Sequence, residues 1–126
     1  MEYVPVSKSE DQELPVPAAW RPALGALADA MVEKTALDPI EGFVISAIED
    51  GDLEISRSNI EDYPDKLGPL TKESWKSSIC VWDGRCWEVL VDLTTDGGDV
   101  SDLVMHAKIT ECGDDYFIEP GLIYVP

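Results

Sequence analysis

A chain of 126 residues has room for one domain with an ordinary core, and 44% hydrophobic residues give that core enough to bury. Its 26 acidic residues against 9 basic give a net charge of −17. This balance argues against nucleic acid and anionic membrane surfaces as partners, since both need clustered Lys and Arg. It favours basic proteins, and it also serves plain solubility.

The first 17 residues carry Pro5, Pro15 and Pro17 and show no periodicity. They read as a flexible or loosely docked arm ahead of a single domain over 18–126. With neither a basic n-region nor an apolar h-region, they predict no signal peptide. In AAWRPALGALADAMVEKT, Trp20, Leu24, Leu27 and Met31 fall at helical spacing, and Pro22 suits the first turn. Asp38-Pro39 breaks the chain. GFVISAIE, residues 42–49, is short, apolar and β-branched, which predicts a buried strand. Asp52 can cap a brief helix through LEISRSNIEDY with Leu53 and Ile60 inward, although Ile55 and two serines suit a strand nearly as well. Pro64, Gly68 and Pro69 mark a loop, and Thr71 suits the cap of one helical turn leading into Trp75.

The remainder predicts antiparallel sheet. In SSICVWDGRCWEVLVDL, Asp83-Gly84 signals a tight hairpin, pairing Trp82 with Arg85, Val81 with Cys86 and Cys80 with Trp87. Alternation puts Trp87, Val89, Val91 and Leu93 on the core face, and Leu103, Met105, Ala107 and Ile109 on that of the next strand. Gly113 with Asp114 and Asp115 turns the chain into YFIEPGLIYV, where Pro120-Gly121 predicts a bulge or an edge. The expected fold is α+β: an N-terminal helix and one short helix on a four- to five-stranded antiparallel meander.

DLTTDGGDVSDL, residues 92–103, gathers Asp92, Asp96, Asp99 and Asp102 without a Lys or Arg. Counted as a calcium loop from Asp92, it places Leu103 where the bidentate Glu is required, so it reads as a long solvated acidic hairpin loop. Cys80, Cys86, Cys112 and His106 match no metal spacing, and the hairpin puts Cys80 and Cys86 on opposite faces. No nucleophile turn, P-loop or dinucleotide fingerprint occurs, so neither an enzyme nor a cofactor is expected. An odd cysteine count without CxxC, and no apolar run long enough for a bilayer, predict a cytoplasmic protein, monomeric when free.

Trp20 and Trp87 fit core positions, which leaves Trp75 or Trp82 for an exposed one. An exposed tryptophan near acidic loops has the character of an interface anchor. A second acidic group comprises Glu49, Asp50, Asp52, Glu54, Glu61 and Asp62, interrupted only by Arg57.

The segments EGFVIS, SNIEDYPDKLGPLTKESWKSSICVWDGRCWEVLVDL, SDLVMHAKI and LIYVP carry a resemblance that spans Trp20 to Pro126. In its layout of strands and turns the chain resembles small acidic immunity proteins of bacterial polymorphic and contact-dependent toxin systems. The resemblance brings no catalytic residues. It implies a cytoplasmic antidote that binds a cognate toxin domain. A basic nuclease-type toxin suits the charge. Asp96, Asp99 and Asp102, extended by Glu49, Asp50, Asp52, Glu61 and Asp62 and anchored by Trp82, are then the candidate partner surface. Two other classes stay open: a nucleic-acid mimic with carboxylates spread along an elongated surface, and a small ligand-binding domain with a pocket on the open sheet face.

Overall fold

The computed structural model of the chain describes Lys8 and residues 12–126. In chain order the elements are β1 (Leu14–Pro15), a 3₁₀ turn (Ala18–Trp20), α1 (Arg21–Glu33), β2 (Phe43–Ile45), α2 (Asp50–Asp62), β3 (Leu67–Gly68), α3 (Lys72–Ser77), β4 (Ile79–Trp82), β5 (Trp87–Thr95), β6 (Val100–Cys112) and β7 (Asp115–Tyr124). The fold is α+β, but the sheet exceeds the expected four or five strands. Among the described residues seven strands run in the order β1-β4-β5-β6-β7-β2, with β3 paired to β5. Nor is the sheet purely antiparallel, because β2 lies parallel to β7.

Alternation builds the centre as expected. Trp87, Val89, Val91 and Leu93 of β5 and Leu103, Met105, Ala107 and Ile109 of β6 are all buried. Leu24, Leu27 and Met31 of α1 join the same core cluster. Trp20 meets Trp87 and Tyr116 edge-on, with ring centroids 5.3 and 5.4 Å away. Pro22 occupies the first turn of α1, where a missing N–H leaves no bond unmade.

The β4–β5 hairpin corrects the expected register. Trp82 pairs with Trp87, Val81 with Glu88 and Cys80 with Val89. The Asp83 N–H donates to the Cys86 carbonyl, so Gly84-Arg85 forms the two-residue turn. Gly84 has φ of 98°, and the Cys86 N–H bonds the Asp83 carboxylate rather than the Asp83 carbonyl. Asp83 sits one place earlier because its carboxylate accepts the N–H groups of Arg85 and Cys86, each at 2.9 Å. The shift is two residues in pairing, which preserves every face. Cys80 is buried, while Cys86 neighbours core-facing Trp87 and so points to the other face.

Three short strands depart from the expectations. Leu14–Pro15 pairs with Cys80 and Ile79, and Val16 is 1% exposed, so the folded part starts before residue 18. Residues 1–7 and 9–11 of the expected arm lie outside the described residues. Leu67–Gly68 pairs with Thr95 and Thr94 where only a loop was expected. A Cβ on Gly68 would stand 3.1 Å from the Asp96 Cα, so a side chain there presses on the backbone just after β5. Residues 43–45 form a strand, but at the sheet edge, and Val44 is 49% exposed rather than buried.

The helix α2 has 13 residues, starting two before Asp52, and is longer than the brief one expected. Its N-cap is Glu49, whose side chain makes no capping bond, and Asp50 and Asp52 lie in the first turn, where acids suit the helix dipole. α2 covers an open strand edge. Beside β7, β2 pairs no further than Ile118. At Ile123, the N–H donates to Ser56 Oγ at 2.9 Å and the carbonyl accepts from Asn59 Nδ2 at 2.8 Å. Two side chains thus complete the bonding a further strand would supply.

Thr71 precedes α3 as expected, but its hydroxyl makes no cap bond. Its N–H instead donates to Thr94 Oγ1, which also pairs with Ser74 Oγ. The Pro120-Gly121 bulge is present: the β6–β7 register slips between Met105 and Ala107. A Cβ on Gly121 would lie 2.7 Å from His106 Nδ1, so the bulge needs glycine. Among the described residues no helix is long and apolar enough to cross a membrane.

Candidate functional site

The acidic stretch 92–103 is mostly strand, which corrects the expected long solvated loop. Only residues 96–99 lie between β5 and β6. Thr95 organises them: its N–H donates to the Asp99 carbonyl at 2.7 Å, its carbonyl accepts from Gly98, and its hydroxyl accepts the Asp99 N–H. The Asp96 N–H reaches the Lys66 carbonyl at 2.7 Å, tying the turn to the segment before β3. Tyr63, just after α2, accepts the Asp102 N–H at 3.0 Å through its hydroxyl. Asp92 stays half-buried within β5, its N–H bound to Ser78 Oγ.

These bonds bring together acids from distant parts of the chain. Asp65, Asp96, Asp99 and Asp102 surround one shallow depression with Tyr63 and Lys66. An adjoining depression shares Tyr63, Asp65 and Asp96 and adds Glu33 and Glu61. Asp62 is exposed beside Glu61. Lys34 binds Glu61 at 2.7 Å, and that bond and charge hold the Glu61 carboxyl below the usual glutamate range. Six carboxylates therefore face Lys66 across the two depressions, with Lys34 already committed to one of them. Among the described residues, no group of three or more His, Cys, Asp or Glu is placed to hold a metal ion.

The structure does not bring the remaining candidates to this end. Glu49, Asp50 and Asp52 occupy the opposite end of α2, about 18 Å from Asp62 along the helix axis. Asp52 lies beside His106, Lys108 and Glu119 instead. Glu54 is exposed on α2, two residues beyond Asp52. Trp82 stands at the far end of β5 from Thr95, about 27 Å along the strand. It is half-buried, with its ring 4.8 Å from that of Trp87 and the Lys8 ammonium 5.1 Å above it. The aromatic residue among the acids is Tyr63, which carries no signal of that role in the sequence.

A second feature left only a faint trace in the sequence. An apolar cavity of about 560 Å³ lies between α1, the segment 35–48 and α2, lined by Leu27, Met31, Phe43, Ile45, Leu53 and Arg57 among others. A pocket was expected, if anywhere, on the open sheet face. It forms instead inside the β2 edge, where three separate segments meet. The Arg57 Nε is buried and has no hydrogen-bond partner, a state that costs about 1–3 kcal/mol for a typical buried donor. The one sequence signal was Arg57's isolation as the sole base in an acidic run.

Residues 29–126 match the family described as "Domain of unknown function (DUF7668)", and the chain belongs to that family. No curated protein and no solved structure matches the chain.

Proposed function

We propose that the protein is a non-enzymatic antidote that binds a basic toxin domain through the acidic end built by Tyr63, Asp65, Asp96, Asp99 and Asp102. The observation that carries this reading is the rigid frame under those carboxylates. A charge serving only solubility needs no fixed geometry, whereas here main-chain bonds from Asp96, Asp99 and Asp102 hold three acids in place. Rigid presentation lowers the ordering cost of binding, and the negative field steers a basic partner toward it.

The toxin context comes from the resemblance of the chain to small acidic immunity proteins. The grouping of acids around one aromatic ring supports an antidote over a nucleic-acid mimic, which calls for an elongated row of charges. Binding over a toxin's basic cleft excludes its polyanionic substrate. A cytoplasmic location follows from the same reading, since an antidote must meet its toxin there.

The test replaces Asp96, Asp99 and Asp102 together with Asn and measures binding to a cognate basic toxin domain at two ionic strengths. Association slows and loses most of its salt dependence, because exposed charges act mainly through the on-rate. Unchanged association at low salt by a folded triple variant refutes the reading.

A further inference from the structure

Arg57 is a base within an acidic run of the chain. It lies on α2 with Glu61 four residues on, the spacing at which a helix pairs opposite charges. Lys34 takes the direct bond to Glu61, at 2.7 Å, and Arg57 acts on that carboxylate only through its charge at longer range. Among the described residues no carboxylate stands within 4.0 Å of the Arg57 guanidinium, although the chain holds 26 acids. The Nε is sealed from water and bonds to nothing. Beside it the cavity of about 560 Å³ presents Leu27, Met31, Phe43, Ile45 and Leu53, within the usual size range of small-molecule sites.

We propose that this cavity binds a small organic monocarboxylate with an apolar body, its head group paired with Arg57 and its body among the aliphatic and Phe43 side chains. The planar guanidinium matches a carboxylate through two parallel N–H bonds from its terminal nitrogens. The single charge on the ligand follows from the surroundings. Among the described residues Arg57 is the only cation lining the cavity, and Asp38 is exposed on its wall. The net charge of −17 further opposes dicarboxylates and phosphate esters. The site shares none of its lining residues with the acidic end, so this inference does not depend on the proposed function.

The test is calorimetric titration of the full chain with decanoate, 1-decanol and sebacate, repeated on Arg57→Gln and Ala30→Phe. Ala30 lines the cavity, so the second variant fills it while leaving Arg57 in place. Decanoate binds the wild type at one site, and about tenfold or more tighter than decanol or sebacate. Arg57→Gln loses that preference and leaves decanol binding unchanged, while Ala30→Phe abolishes binding of both. The Arg57 Nε–H resonance in a nitrogen-correlated NMR spectrum shifts on adding decanoate to the wild type, a readout that needs no variant to fold. Equal affinity for decanoate and decanol, an unmoved Nε–H resonance, or no saturable binding overturns the proposal.

Discussion

Replacing Ser56 with Ala tests whether two side chains of α2 hold the open edge of β7. Ser56 and Ile123 are each 0% exposed, and the Ile123 N–H donates to Ser56 Oγ at 2.9 Å. The substitution leaves that N–H buried without an acceptor, which costs about 1–3 kcal/mol. Alanine's higher helix propensity offsets about 0.5 kcal/mol of this. The net expectation is a loss of roughly 0.5–2.5 kcal/mol, or about 2–12 °C in Tm for a domain of this size. Ser58 is exposed on the same helix, so Ser58→Ala keeps the propensity gain without the broken bond. Urea and thermal melts of the two variants isolate the clamp, with an unchanged m-value confirming that the fold is retained. Hydrogen exchange at the Ile123 amide accelerates in Ser56→Ala alone. If Ser56→Ala is as stable as Ser58→Ala, the clamp contributes nothing and the reasoning fails.

Asp83 links pH to the hairpin. The N–H groups of Cys86 and then Arg85 hold its carboxyl below the usual aspartate range. A lowered folded-state pKa gives stability that is present above the unfolded value and lost as pH falls through the folded one. Asp83→Ala therefore melts below wild type at pH 7, the gap closes under acid, and a pH-independent gap contradicts the assignment. The thiols separate by position. Cys112 is exposed and reacts with a disulfide reagent at pH 8, whereas burial, followed by Asp83, pushes the Cys86 thiol up to about 11, leaving about one thiolate in a thousand. Cys80, fully buried and raised to about 11, reacts only on unfolding, so two fast thiols in the native protein refute this picture.

What the sequence disclosed follows from the range of each signal. The faces of β5 and β6 were legible because period-two alternation is local and spans eight or more residues. The hairpin was placed one residue off in its turn because Asp83 serves it through its side chain, whereas the rule read Asp83-Gly84 as central residues. β1 and β3 have two residues each, too few to carry a pattern. The parallel pairing of Phe43–Ile45 with Tyr116–Ile118 joins segments about seventy residues apart and leaves no local trace. The same limit applies to the sites. Asp96, Asp99 and Asp102 were visible as a cluster, but their junction with Tyr63 and Asp65 is a tertiary contact. Arg57 was visible only as an interruption of an acidic run, because its significance lies in a cavity assembled from three segments.

The central claim is that the acidic end docks a basic partner, and hydrogen exchange of the protein alone and bound to the toxin domain tests it directly. Exchange slows over residues 63–66 and 95–102 in the complex, with the Asp83–Cys86 turn beside Trp82 unchanged. Protection confined to the Trp82 hairpin or to the cavity wall at residues 43–48, with the acidic end unaltered, contradicts it.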